Sequence, residues 1–361
     1  MNPVIPGPVP VPLPAPPGLL EFLLVFTLIL HLLAMNFLLG GVIILTVSSY
    51  LGRRDSRHHE LTGRVSRALP PVTAFTITLG VGPLLFLQLV YGQLFYTSSV
   101  LMAWYWLAVV LLVLLGYYGV YWLQLRYDAL GPKAPWVMLA TAVLFLLVAF
   151  IFTQNITAMQ HPQDFYPRFM NGQVGKIFGP VPLLNLVRLA HFVVAAVALA
   201  GLGIALLSTR WRADSPELAA WARRYGVTWF MGGTLVQFLV GLWFLLSLPV
   251  EIRQALVGDR LAVGVLILGI MLALLALLTA PASLGTASVA ILGTVCAMVV
   301  LRHLVRLAYL RPYFDPHSLP VRGQWVVFSI FGALLLAGLA TVGWMLYVFY
   351  RPAAESHRVS V

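Results

Sequence analysis

Cysteine and acidic residues are the scarcest features of this chain, and each scarcity closes off a class of chemistry. The one cysteine, Cys296, lies in an apolar stretch. The chain therefore forms no internal disulfide, holds no Cys-ligated iron–sulfur cluster and has no CxxCH for covalent haem attachment. Asp and Glu number eleven, and they fall in loops, tails or the ends of apolar stretches. Proton paths through a membrane generally use buried carboxylates or histidines, and no acidic relay is visible here. Alternating segments of the barrel type are absent, as are long insertions, short-period repeats and a separable soluble domain.

What the chain does have is apolar length. Its 361 residues are 61% hydrophobic and 9% charged, with a mean hydropathy of +0.94, more apolar surface than a soluble core can hide. Nine stretches are long enough to cross about 30 Å of hydrocarbon as helices. They lie near 18–50, 70–94, 99–125, 135–158, 183–208, 226–249, 261–280, 285–308 and 324–350. An all-α, polytopic membrane protein is the expected fold, with one transmembrane domain over 18–350.

The net charge of +11 does not point to nucleic acid, because the basic residues sit between the apolar stretches and report topology. Arg53, Arg54, Arg57, Arg64 and Arg67 follow the first stretch, Arg126 and Lys133 the third, and Arg210, Arg212, Arg223 and Arg224 the fifth. These loops should face the cytoplasm, which puts the N-terminus in the periplasm and the 351–361 tail in the cytoplasm. Arg311 and Arg322 dissent, on the outer side. Residues 3–17 carry eight prolines and no Lys or Arg, which fits an extended periplasmic arm rather than a cleaved signal peptide. Such an arm over 1–17 can lie on a partner subunit or stay disordered.

Ionisable side chains inside a bilayer are costly and kept mainly for function. His31, His191 and His303 are the three histidines inside or at the ends of apolar stretches. His31 lies roughly 18 Å into the first helix at 1.5 Å per residue, and Met35, four residues on, reads as core packing. Arg188 stands one turn before His191, and Arg306 one turn after His303. Imidazole is a common ligand of haem iron, and a cation nearer the interface suits the haem propionates. The plainer alternatives are a hydrogen-bonded imidazole and a snorkelling arginine. His58 and His59 read as solvated loop residues, and His161, His317 and His357 as loop or tail residues.

The order and spacing of these features resemble subunit I of cytochrome bd quinol oxidase over essentially the whole chain. His31 matches the first-helix haem-ligating histidine of that family. Gly80 to Gly92, with Gln88 inside it, is similar to the glycine-flanked Glu-Phe-Gln-Phe-Gly stretch of the second span. Met159-Gln160-His161-Pro162 resembles the Met-Gln-Asn-Pro turn after the fourth, and Arg188-Leu-Ala-His191 the Lys-x-x-His of the fifth. His303-Leu-Val-Arg306 is the best match to the Glu-x-x-Arg near the end of span eight, with imidazole in place of a carboxylate haem ligand.

The departures shape what the resemblance implies. About a dozen residues, Pro249 to Arg260, replace the long loop that forms the family's quinol site. Arg260-Leu261-Ala262 aligns with an Arg-x-Met, so the methionine opposite the fifth-helix histidine becomes alanine. The two glutamates of the third span have no counterpart.

The resemblance thus implies a haem b-containing, bd-like subunit that relays electrons in a respiratory complex of the bacterial inner membrane. It would be an electron-transfer oxidoreductase subunit, with His31, His191 and His303 as axial ligands of two or three haems b and Arg188 and Arg306 as propionate partners. Haem d is disfavoured. Other membrane subunits and a periplasmic c-type cytochrome are the implied partners, and quinone is left open, for instance near Trp221, Arg223 and Arg224. One alternative is a bd-like terminal oxidase reducing oxygen with a non-quinol donor. Another is a scaffold or transporter that kept the fold and lost its cofactors.

Overall fold

The computed structural model of the chain describes residues 12–176 and 182–350, apart from the side chains of Pro182, Phe349 and Tyr350. Most of the proline-rich arm and the 351–361 tail therefore lie outside the described residues. Among those described, twelve α-helices and no β-strand occur. They are α1 (Pro17–Leu51), α2 (Ser56–Ser66), α3 (Leu69–Met102), α4 (Trp104–Leu130), α5 (Ala134–Met159) and α6 (Phe165–Met170), then α7 (Pro182–Leu207), α8 (Pro216–Ser247), α9 (Val250–Gly258), α10 (Arg260–Thr279), α11 (Leu284–Leu310) and α12 (Trp325–Tyr350).

Eight helical stretches are long and apolar enough to span a membrane, and one of these, Trp104–Met159, runs 56 residues. It is broken by a 3-10 turn at Gly131–Lys133, where Gly131 takes φ +49, a conformation open to glycine at little cost. Gly116 meets Phe145 while Gly119 meets Thr141, the register of two antiparallel helices. Nine crossings result. The all-α, polytopic, nine-helix expectation thus holds among the described residues.

The end of α3 and the start of α8 differ most from the bounds expected. Helix α3 continues to Met102 because Ser98 and Ser99 return their hydroxyls to the Phe95 carbonyl, each at 2.8 Å, so a polar run stays helical. It ends at Ala103, whose φ of +41 is unusual for a residue with a Cβ. Helix α8 begins ten residues before the apolar stretch, at Pro216. Its first turns bury Leu218, Ala219 and Ala222 on one face and leave Arg224 exposed, an amphipathic pattern that hydropathy averages away.

Helix α1 is the hub of the bundle, packed against α3, α5, α7, α2 and α11. Its approach to α7 is close, since a Cβ on Gly40 would collide with the Ala196 carbonyl. One core, around Leu38, Leu45, Leu69, Leu123 and Met138, fills the half of the bundle near the basic loops. A second, around Leu20, Leu24, Tyr91, Phe95 and Leu310, fills the other half. The short loop around Pro249 to Arg260 folds as α9, and Ala262 is buried beside Leu184, Val305 and Tyr309. The end of the proline-rich arm docks on its own chain. Leu13 is buried, its N–H donates to the Pro320 carbonyl at 2.7 Å, and its carbonyl accepts from Arg322 N–H at 2.8 Å. For these residues the arm lies on the α11–α12 loop.

Candidate functional site

Helices α1 and α7 begin at the end of the bundle where α3, α5, α8 and α11 finish. At that end the bundle interior is polar. Gln154, Asn155, Thr157 and Gln160 of α5 and its cap, Asn185 and Arg188 of α7, and Arg306 of α11 are all buried. Buried polar groups need partners, and several here have them. Arg188 donates from Nη1 to Thr157 Oγ1 at 2.5 Å and from Nη2 to Gln160 Oε1 at 3.0 Å. Its guanidinium also lies 5.7 Å from the Phe244 ring centre. Asn185 donates to Gln154 Oε1. Others lack them: Gln154 Nε2, Asn155 Oδ1, Asn185 Oδ1, Gln237 Oε1, Arg306 Nε and the Tyr309 hydroxyl are buried with no hydrogen-bond partner.

His31 sits about 15 Å deeper than the start of this layer, ten residues past Glu21 on α1. Its Nδ1 lies 3.0 Å from the Thr76 carbonyl of α3, so Nδ1 carries the proton and Nε2 is left as the free nitrogen. Gly80 makes room for the ring, because a Cβ there would stand 3.0 Å from both Cε1 and Nδ1. A histidine that donates one N–H to a backbone carbonyl and keeps the other nitrogen bare is in the state that metal-ligating imidazoles adopt.

His191 faces α8. Its ring stacks on Phe244 with centres 5.5 Å apart, lies against Gly241, and is reached by Gln237 Nε2 at 2.9 Å from Nδ1 and 3.2 Å from Nε2. The Gln237 Oε1 has no partner in this orientation, and amide orientation is assigned from the hydrogen-bond network rather than seen. Turned over, Gln237 accepts from an imidazole N–H, but its amide end stays within 3.2 Å of both ring nitrogens, so Gln237 must shift before either is bare as Nε2 is at His31.

His303 is held between opposite charges. Its Nδ1 is 3.5 Å from Arg306 Nη1, and its Nε2 is 3.7 Å from Glu21 Oε1, the latter too long for a hydrogen bond. Arg306 lies 5.5 Å over the Tyr91 ring, and Tyr91 donates its hydroxyl to Glu21 Oε1 at 3.0 Å. The other Glu21 oxygen is 3.4 Å from Nε2 of His317, a largely exposed side chain. His303 thus fits an axial role less directly than His31, since Glu21 must give way before its Nε2 can ligate.

The sequence pairs Arg188 with His191 and Arg306 with His303 at one-turn spacing, and the structure keeps both pairs on shared helix faces. It joins no two of the three histidines directly. No group of three or more His, Cys, Asp or Glu side chains able to hold a bare metal ion occurs among the described residues, whereas haem iron needs one or two protein ligands.

Glu21 was missed. It was placed at a span end, yet it is buried inside α1 at 8% exposure, the carboxylate around which Tyr91, His303 and His317 gather. An acid ten residues before an intramembrane histidine was the available signal. Gln237, Thr157 and Gln160 carried none, because only the packing of α8 and α5 on α7 gives them their roles. His58 is not solvated either: its ring packs edge-on against Trp221 at 4.8 Å and Tyr225 at 5.3 Å, while His59 is half exposed beside Asp128. Above the polar layer, burial raises the Asp164 carboxyl and lowers the Arg168 guanidinium from their usual ranges.

The helices, their length and the buried polar layer define a polytopic membrane bundle. The fold itself is that of cytochrome bd oxidase. It resembles the structure of bd oxidase from Geobacillus thermodenitrificans with a TM-score of 0.69 and 13% sequence identity, over 94% of this chain and 100% of that one. The subunit I-like fold implied by the sequence is thereby borne out as a fold. No family model matches the chain, and neither does any curated protein.

Proposed function

We propose that this chain is a haem b-carrying subunit of a bd-like respiratory complex in the bacterial inner membrane, relaying electrons to or from a periplasmic c-type cytochrome. The observation that carries this reading is His31, anchored through Nδ1 on the Thr76 carbonyl and seated against Gly80, with Nε2 uncommitted deep in the bundle. His31 and His191 are the residues that would hold haem iron on this reading, and His303 is a third that would do so once Glu21 moves. Two or three haems b are the complement it implies, and haem d is not called for.

When bound, haem supplies a one-electron redox centre. The chain's own residues orient and isolate it. Thr76 fixes which His31 nitrogen is bare, Gln237 hydrogen-bonds the His191 ring, Phe244 braces that ring, and the apolar cores on either side keep water away. Arg306, with an unpartnered Nε, is free to take a propionate. Arg188 already spends two donors on Thr157 and Gln160, so it supplies charge and its remaining donors. The positive-inside pattern supports a periplasmic N-terminus and puts the polar layer on the periplasmic side, where a soluble cytochrome can reach it.

A second reading, a terminal oxidase fed by a non-quinol donor, draws on Glu21. This buried carboxylate, 3.4 Å from the exposed His317, is an acidic group inside the polar end of the bundle. Cyanide-sensitive oxygen uptake by the purified complex would favour it, and none with a competent reductant would remove it. The relay reading is tested by His191→Ala. Loss of one haem's spectral contribution, with the protein still in the membrane, is the expected outcome; unchanged haem content would refute the assignment of His191.

A further inference from the structure

One charged residue at the polar end stands outside the contacts of Glu21, Arg188 and Arg306. Arg302, one residue before His303, makes no hydrogen bond and no ion pair among the described residues. Its guanidinium lies over the ring of Phe192, 5.2 Å from the centre, which places it beside His191. It is also within electrostatic reach of Arg188, Arg306 and His31. Arg302 therefore stands among all three histidines, while the carboxylate in contact with this layer, Glu21, is engaged by Tyr91, His303 and His317.

Three arginines, Arg188 and Arg306 buried and Arg302 half-buried against Phe192, face one carboxylate and leave the layer with two surplus positive charges. An unpaired buried charge is strongly unfavourable, and like charges at close range make it worse. Such an arrangement persists when an anionic group completes it. Haem propionates, two carboxylates on each macrocycle, have the right charge, and the planar guanidinium fork matches them bidentately.

Resting on the haem-binding reading, we infer that Arg302 is a positioning residue: the third cation of an arginine layer that receives haem carboxylates and holds the nearest iron in its reduced form. A fixed positive charge close to a redox centre favours the state with the extra electron, and in a low-dielectric interior the effect is large. Arg302 is not an iron ligand and acts through charge and through the carboxylate it holds.

The test uses the complete purified complex with Arg302→Gln and Arg302→Lys, read by haem content per chain and by midpoint potentials from spectroelectrochemical titration. Arg302→Gln should keep the absorption maxima that report axial ligation, yet shift one haem at least tenfold toward its oxidised form, about 59 mV for one electron. Arg302→Lys, which keeps the charge but not the fork, should keep the potential and release haem at least tenfold faster. Wild-type potentials and wild-type haem content in Arg302→Gln would overturn the role of Arg302 and leave the haem reading standing. A wild-type complex without haem would overturn both. If Arg302→Gln fails to insert, Arg302→Lys decides alone, and haem retention equal to wild type overturns the proposal.

Discussion

The contact that sets His191 against α8 can be tested far from either residue, at Gly226. A Cβ on Gly226 would stand 2.5 Å from the Gly201 carbonyl oxygen, 2.7 Å from the Ala205 nitrogen and 3.1 Å from the Ala205 Cα. Carbon–oxygen contacts between packed helices settle near 3.3–3.6 Å, so Gly226→Ala must push α7 and α8 apart by roughly 1 Å. All three obstacles are backbone, and no side chain can swing aside. Overpacking costs about 1–3 kcal/mol, offset in part by the roughly 1 kcal/mol that alanine gains over glycine in a helix. We expect a net loss of about 1 kcal/mol by the same bookkeeping. Gly232, on the same helix, has nothing within 4 Å of its added Cβ, so Gly232→Ala should be neutral or stabilising by up to about 1 kcal/mol. The two substitutions therefore differ in sign. Because Gly201 and Gly226 hold the crossing that brings Gln237 within 2.9 Å of His191, Gly226→Ala should also loosen that hydrogen bond. The assay is the temperature at which the purified protein loses its native size-exclusion peak, with haem retention followed in parallel. A Gly226→Ala midpoint equal to or above that of Gly232→Ala would refute the close-packed crossing.

Other perturbations follow from single contacts. Gly80→Ala drives a methyl to 3.0 Å from the His31 ring and should lift Nδ1 from the Thr76 carbonyl, so the protein should insert normally and lose the spectral contribution of the haem at His31. Arg188→Leu strands Gln160 and Thr157 without their donor and should cost about 1–3 kcal/mol, seen as a lower unfolding temperature. At the opposite end, Asp55 caps α2, and the Arg57 side chain and then its backbone N–H hold the Asp55 carboxyl at about 2. A carboxyl depressed on folding stabilises above its unfolded value, near 4, and that contribution fades as pH falls through about 2. Amide protection of α2, corrected for intrinsic exchange, should drop across that window in the wild type; an equal drop in Asp55→Asn would refute the assignment.

Much of the fold was legible because bilayer thickness fixes helix length, and hydropathy reads length directly. It failed where the reason for helicity was not apolar content. The first turns of α8 are helical through an amphipathic face, and the end of α3 through serine hydroxyls on its own carbonyls. The break at Ala103 has neither glycine nor proline to announce it. In the site, the intramembrane histidines were legible because ionisable groups are rare in such helices. Their partners were not. Thr76 acts through its backbone carbonyl, which every residue has, and Gln237 acts only because α8 turns that face toward α7. Glu21 was visible but valued as a span end, and its burial depends on Tyr91, His303 and His317 arriving from distant parts of the chain.

The central claim is that this bundle carries haem b. The most direct measurement is a reduced-minus-oxidised spectrum of the protein purified with its native partners, together with a pyridine haemochrome assay per chain. Two or three b-type haems without a d-type band is the predicted result. A correctly folded, colourless preparation would contradict it.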